Sequence, residues 1–420
     1  MDRDPIPDEG TATSRADGHE RDGDPRWRVT LSVMWFAQLC SIMGFSFVMP
    51  FIPFFVRELG VPERDVAIWA GVTGSAAGIA MGVMGPIWGY LADRHGRRRM
   101  VMRAMFGGSL VLGLMGLSRS VYDLLVLRLL QGSITGTVPA SVALVSSVVP
   151  KRRLGFSLGL MQMAVFTGGS VGPFVGGIVA DRFGYRVPFG VTAGLLLLGG
   201  CLVLFGAKER FTRPDPADRR ETAPLRVLFR MPGVLSLLGV FFVMNFSGSF
   251  VMPIFPLFVE QVLEIKKEAA GATGMLLGIT GVASAVAAVL VGRLSDRLGH
   301  KPILLTCTSL AALFSVPHFF ATNVSQLFVL RIFFGLAVGG MMPAMNALVA
   351  TTAPRGNLGQ AYGFTTTASA LGWAIGPAVG GVVASLIGYR WPFVIMAALL
   401  ALVTIAQQCW IKPSVEQADN

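Results

Sequence analysis

The sequence is poor in charge and in reactive side chains. Only 14% of its 420 residues are Asp, Glu, Lys or Arg, against about 25% in soluble domains. By contrast, 53% are hydrophobic and the mean hydropathy is +0.63, which excludes a string of soluble domains and points to a polytopic membrane protein. The four cysteines, Cys40, Cys201, Cys307 and Cys409, lie far apart in apolar stretches without a CxxC, arguing against a disulfide framework or a zinc site. The four histidines, His19, His95, His300 and His318, are scattered. Nucleophile elbow, metal-ligand spacing and phosphate loop are all missing, so neither enzyme chemistry nor a metal, cofactor or nucleotide is expected. Lys and Arg outnumber Asp and Glu by 35 to 24, an excess that fits loops beside anionic lipid better than binding to nucleic acid.

The scarcest feature of all is a carboxylate in the middle of an apolar run. Of the 24 acids, eight lie in the N-terminal 28 residues, four in a central polar stretch, two at the C-terminus, and Asp93 and Asp296 in polar turns. The remaining eight, Glu58, Glu63, Asp65, Asp123, Asp181, Glu260, Glu264 and Glu268, fall at or beyond the ends of apolar runs.

What is present is length. Twelve apolar stretches, at about 29–57, 66–91, 101–118, 123–148, 155–180, 187–206, 233–258, 269–292, 302–321, 325–349, 360–386 and 391–411, each approach or exceed the roughly 20 residues a helix needs to cross hydrocarbon. They predict an all-α membrane protein of twelve transmembrane helices in two six-helix bundles. The expected organisation is a disordered cytoplasmic tail over 1–28, bundles over 29–206 and 233–411, a cytoplasmic linker over 207–232, and a second tail over 412–420. With the N-terminus inside, 25 Lys and Arg fall on the cytoplasmic side and 8 on the other, so both termini are expected in the cytoplasm, in the plasma (inner) membrane.

The chain also repeats itself. Ser46-Phe47-Val48-Met49-Pro50 returns 203 residues later as Ser249-Phe250-Val251-Met252-Pro253, and the same offset carries Gly89, Leu91, Asp93, Arg94 and Gly96 onto Gly292, Leu294, Asp296, Arg297 and Gly299, and Arg128 onto Arg331. At an offset of 204, Gly172-Pro173 matches Gly376-Pro377, and Gly184-Tyr185-Arg186 matches Gly388-Tyr389-Arg390. Six spans is an even number, so the halves enter the membrane in the same orientation. Parallel repeats of this kind place a binding site between halves and permit alternating access by rocking.

Gly89-Tyr90-Leu91-Ala92-Asp93-Arg94-His95-Gly96-Arg97-Arg98-Arg99 resembles the signature loop between the second and third helices of the major facilitator superfamily. The resemblance implies that this loop latches the two halves on the cytoplasmic side. Its physics suits that place: a tight turn needs Gly96, and Asp93 at a helix end can pair with a cation or accept N–H bonds from another helix's N-terminus. Leu124 to Gly132, with Arg128 and Gln131, resembles the fourth-helix motif of the drug-exporting branches. A guanidinium inside a span costs at least about 2.5 kcal/mol and should face a cavity or a partner. The run Gly168, Gly172, Pro173, Gly176 and Gly177 resembles the fifth-helix antiporter motif, a resemblance that supports export; Gly372, Gly376, Pro377, Gly380 and Gly381 repeat it, so symmetric packing alone is the alternative explanation of both copies.

The family resemblance implies a secondary transporter that exports small amphipathic compounds by proton antiport, with a small molecule, protons and the lipid bilayer as partners and a monomer as the working unit. The substrate-cavity candidates, placed through that resemblance, are Met34, Gln38, Arg128, Gln131, Met244, Asn245, Arg331, Met345 and Asn346, with Met161, Gln162, Phe166 and Trp373 from spans five and eleven. Arg128, Asp123, Asp93 and His318 are the candidates for proton coupling; Arg cannot itself titrate and would act by tuning a neighbour. A dedicated metabolite exporter or proton symporter, and a non-transporting membrane sensor or scaffold, are the alternatives.

Overall fold

The computed structural model describes residues 26–209, 234–263, 268–352 and 358–410. The expected tails and linker therefore lie almost wholly outside the described residues, as do the side chains of Asp93 and Asp296. Among the described residues the regular structure is helical throughout. The first half comprises α1 (Trp27–Phe47), α2 (Ile52–Glu58), α3 (Glu63–His95), α4 (Arg97–Met115), α5 (Val121–Ile134), α6 (Thr137–Val148), α7 (Leu154–Phe183) and α8 (Val187–Gly206). The second comprises α9 (Val234–Val251), α10 (Phe255–Val262), α11 (Ala269–Leu298), α12 (His300–Ser315), α13 (Val324–Gly339), α14 (Met341–Thr352), α15 (Leu358–Ile387) and α16 (Trp391–Trp410).

Sixteen helices make twelve spans because four spans are interrupted. The repeated Ser-Phe-Val-Met-Pro segment breaks the first span between α1 and α2 and the seventh between α9 and α10, where the axis bends by 42°. Proline removes a donor and crowds the preceding turn, so both copies of the sequence interrupt their span. In each copy the leading serine ties the broken helix to its neighbour: Ser46 Oγ donates to the Gly168 carbonyl at 2.9 Å and Ser249 Oγ to that of Gly372 at 3.0 Å. Ten described helices are long and apolar enough to cross a membrane, eleven with the bent pair counted as one span. The stretch expected over 101–118 corresponds to α4, which opens on Arg97, Arg98 and Arg99 and carries Arg103, and so is less apolar than the others.

The two halves meet along two seams, α3 against α15 and α7 against α11. Small residues make the approach possible. A Cβ on Gly177 would collide with the Ala270 carbonyl, and one on Gly381 with that of Ala67, its counterpart in the other half. Likewise Gly274 lies on the backbone of Pro173 and Gly71 on that of Pro377. Lipid tails are as apolar as leucine, so helix association in a membrane rests on such close packing.

The seams do not run the full length of the helices. Along α3, Gly71 and Gly78 press on α15, whereas a Cβ on Gly82, Gly85 or Gly89 would meet nothing within 4 Å. Gly155 and Gly159 on α7 and Gly292 on α11 are equally free. The halves are thus joined at the end that carries Arg57 and parted at the end that carries the α3–α4 turn, called here the basic end. Gly177→Leu should force the joined end apart, a clash of the kind that costs about 1–3 kcal/mol. We expect a lower thermal unfolding midpoint in detergent for Gly177→Leu and an unchanged one for Gly82→Leu.

Candidate functional site

At the joined end, α2 and α10 bring Arg57 and Glu260 together. The guanidinium grips the carboxylate with Nη1 to Oε1 and Nη2 to Oε2, both at 2.8 Å, while Nη2 also reaches Glu63 at 2.6 Å. The Glu260 side chain is only 10% exposed. The two residues stand 203 positions apart, the offset of the repeat, so equivalent sites in the two halves carry opposite charges and pair across the axis that relates them. Sequence reading left both unassigned, although the offset was the signal that links them.

A second bond between halves lies on the α7–α11 seam. Asp181 Oδ2, near the end of α7, accepts the backbone N–H of Gly271 in the first turn of α11 at 2.6 Å. The free N–H groups and the dipole at a helix N-terminus favour a carboxylate there. On the α3–α15 seam, Ser75 Oγ accepts the Ala378 N–H at 2.9 Å.

The basic end is organised differently. Gly96 turns the chain from α3 into α4 with φ 96°, a conformation that favours glycine. Beside it, Glu209 accepts the N–H groups of Arg97 and Arg98 at 2.9 and 2.8 Å and so caps α4. Arg97 donates to the Ala143 carbonyl at 2.9 Å, and Arg98 to the carbonyls of Val203 and Leu204. Arg94 is exposed, beside Tyr90, and Leu91 is half-buried. The described bonds of this loop fall within the first half of the chain. The expectation for Asp93 concerns a side chain outside the described residues.

The proton-coupling candidates do not come together. Asp123 forms a capping box with Ser120 at the start of α5 and also accepts the Arg119 N–H at 3.0 Å, whereas Arg128, further along the helix, gives Nη1 to Gln131 Oε1 at 3.0 Å. A separation of five residues puts Asp123 and Arg128 on different helix faces. His318 is buried in the turn after α12, its Nδ1 2.9 Å from the Phe314 carbonyl oxygen and its ring stacked on Phe393 at 5.1 Å.

Nor do the cavity candidates share one surface. Arg331 sits in an aromatic cage, 3.6 Å from the Phe255 ring centroid and 5.6 Å from that of Phe334. Met34, Met244 and Met345 are buried in the cores of their own halves. Asn245 Nδ2 donates to Ser369 Oγ at 3.1 Å and its Oδ1 accepts Trp373 Nε1 at 3.2 Å, which ties α9 to α15; Trp373 and Asn346 are exposed and Phe166 half-buried. The candidates that do converge are Gln38, Met161 and Gln162, which line a cavity of about 170 Å³ between α1, α6 and α7.

The fifth-helix glycines pack closely against neighbouring helices. Gly168 and Gly172 receive α1 around Ile42, Met43 and Ser46, Gly176 lies against Phe47, and Gly177 serves the seam, while Pro173 lies inside the helix. Gly372, Gly376 and Gly380 receive α9 in the same way, and Gly381 serves the other seam.

The family model of the Major Facilitator Superfamily matches residues 34–284 and again 246–420, which together take in both halves. The chain belongs to the Major Facilitator Superfamily. It is 32% identical over 379 residues to a protein of Citrobacter koseri named multidrug resistance protein MdtG, covering 89% of this chain and 93% of that one. To the Escherichia coli protein of the same name it is 31% identical over 386 residues, covering 91% and 94%. Among solved structures, a bacterial homologue of the human lysosomal transporter Spinster, in an inward-facing and occupied conformation, superposes with a TM-score of 0.76 at 15% identity, covering 94% of this chain and 98% of that one. The nucleoside transporter NupG superposes at 0.77 with 14% identity, covering 92% and 100%. The fold is therefore that of the superfamily, a multi-pass membrane protein, and its joined and parted ends are the two faces of the bundle.

Arg57→Met and Glu260→Gln should each loosen the joined end. The expected readout is several-fold faster maleimide labelling of a cysteine placed at buried Ser75, with the slow rate restored when the charges are exchanged in Arg57→Glu with Glu260→Arg. Equal rates in all four proteins would mean that the pair does not hold the seam.

Proposed function

We propose that the protein is a multidrug exporter of the inner membrane, expelling small amphipathic compounds by proton antiport with alternating access, as a monomer with both termini in the cytoplasm. The name multidrug resistance protein, carried by relatives that match the chain along most of its length, supports the substrate class. The bias of Lys and Arg toward one set of loops supports the orientation. With the basic end in the cytoplasm, the halves are closed on the outside and open on the inside, the state in which an exporter collects its substrate.

The observation that carries this reading is the one-ended seam. Two glycine-lined helix pairs, locked at one end by Arg57–Glu260 and by Asp181 on the α11 N-terminus, are parted at the other, as a rocking pair of bundles requires. Arg128 is held within the first half by Gln131 rather than beside an acid, so its role is to position the fourth span and to tune what binds nearby. Asp93, on the last turn of α3, is the coupling acid we assign to the cytoplasmic face.

Purified protein in liposomes, given an imposed pH gradient and tested against neutral, anionic and cationic dyes, checks the proposal directly. Gradient-dependent movement of several unrelated compounds, abolished by a protonophore, is the expected result. Movement of none of them, or of one compound only, would remove the multidrug reading. Arg128→Gln should lower transport at least about tenfold while the protein still reaches the membrane in normal amount.

A further inference from the structure

Of the arginines that open α4, two serve the bundle and two do not. Arg97 and Arg98 donate to carbonyls of neighbouring helices. Arg99 and Arg103 make neither a hydrogen bond nor an ion pair among the described residues. Arg103 Nε and Nη1 are enclosed without a partner, which leaves Nη2 as the nitrogen of that guanidinium that reaches the surface. The carboxylate described at this end of α4, Glu209, is committed to the N–H groups of Arg97 and Arg98.

Helix geometry says what these two arginines face. At about 3.6 residues per turn, positions 99, 103, 110 and 114 form one stripe of α4. Leu110 is 65% exposed and Leu114 42%, whereas Val101, Ala104, Gly108 and Val111, on the opposite stripe, are buried. An exposed leucine stripe on a membrane helix faces acyl chains. At its basic end the same stripe carries Arg99, which is exposed, and then Arg103, about 6 Å deeper along the axis.

Arg103 is also held in place. Its guanidinium lies over the Trp88 ring of α3, 3.2 Å from the centroid, and Trp88 is fixed in turn by Nε1 donating to the Ser133 carbonyl of α5 at 2.6 Å. The indole face offsets part of the lost hydration but offers no acceptor to the outward N–H groups. The repeat shows that the architecture does not require this arrangement: 203 residues later, Trp88, Arg99 and Arg103 are replaced by Val291, Pro302 and Thr306. Guanidinium groups match phosphate oxygens in geometry and charge, and the apolar continuation past Leu110 suits a ligand that carries acyl chains next to its phosphate.

We propose that Arg99 and Arg103 form a binding site for the phosphate of an anionic phospholipid in the leaflet at the basic end, with Trp88 as its wall and Leu110 and Leu114 against an acyl chain. The site belongs to one half of the molecule, since α4 packs on α3, α5, α6 and α8. It does not depend on what the protein transports.

The test is titration of the full-length protein in detergent micelles with phosphatidylglycerol or phosphatidylcholine, the bound lipid being counted by native mass spectrometry. An arginine at an anionic surface is worth about fivefold in affinity, so phosphatidylglycerol should bind at least about tenfold more tightly than phosphatidylcholine. Arg99→Gln should weaken phosphatidylglycerol about fivefold, and Arg99→Gln with Arg103→Gln should bring the two lipids within about twofold of each other. Removing the same charge from an exposed pair elsewhere, in Arg152→Gln with Arg153→Gln, should leave the preference intact. Equal binding of the two lipids by the unaltered protein overturns the proposal without recourse to any variant. So does an unchanged preference in Arg99→Gln, a substitution at an exposed residue that the fold tolerates. Equal loss in the Arg152 and Arg153 protein overturns it in favour of diffuse attraction by net charge. Displacement of the lipid by millimolar glycerol phosphate overturns it in favour of a soluble anion, because the acyl chain would then contribute nothing.

Discussion

Backbone approaching backbone across two glycine-lined seams is the constraint on which the remainder of this structure depends. In water, two six-helix bundles could be pressed together by burial of apolar surface. In lipid that force is absent, and close contact with a few well-placed polar bonds must serve. Gly177 on Ala270 and Gly381 on Ala67 bring α7 to α11 and α3 to α15 closely enough for Asp181 and Ser75 to reach across to backbone N–H groups. Because the same helices diverge toward the basic end, one set of contacts holds the molecule together and also serves as the fulcrum about which its halves can rock.

Charge is placed to respect the same solvent. No carboxylate lies mid-span in the sequence, and the two buried arginines among the described residues, Arg128 and Arg331, are each accommodated inside one half. The solutions differ: Arg128 donates to Gln131, while Arg331 is packed against Phe255 and Phe334. Phe334 stands at the position equivalent to Gln131, so a single change in the repeat exchanges an amide acceptor for an aromatic face. A guanidinium in a membrane accepts either, since both the carbonyl dipole and the ring quadrupole offset part of its lost hydration.

Duplication therefore explains the architecture, and departures from it mark the places where function has room. Where the halves agree, at the Ser-Phe-Val-Met-Pro breaks, the GxxxG grooves and the crossing glycines, the residues do structural work. Where they differ, the chain has acquired something new. Arg57 opposite Glu260 turns two equivalent positions into a cross-axis ion pair, and a buried amide, Gln38, stands opposite the aromatic Phe241.

Much of the fold was legible because it is local or periodic. Lengths of apolar runs gave the spans and the offset gave two bundles, since each of these depends on a residue's own neighbours and on the hydrocarbon. The family followed from the loop around Gly89 to Arg99. The site was less legible. Met34, Met345 and Arg331 looked like cavity residues but face the interiors of their own halves, because assignment to a span does not say which side of the helix points inward. Asp181 was read as an acid at a span end and Glu209 as one of the central polar stretch, and in the structure each caps a helix from elsewhere in the chain, something no spacing rule reveals. The sequence by itself determined that the chain spans the membrane as two like halves, since desolvation acts residue by residue. Only the tertiary structure decided which end is sealed and which arginine meets which acid, because those facts depend on the relative rotation of helices that are far apart in the chain.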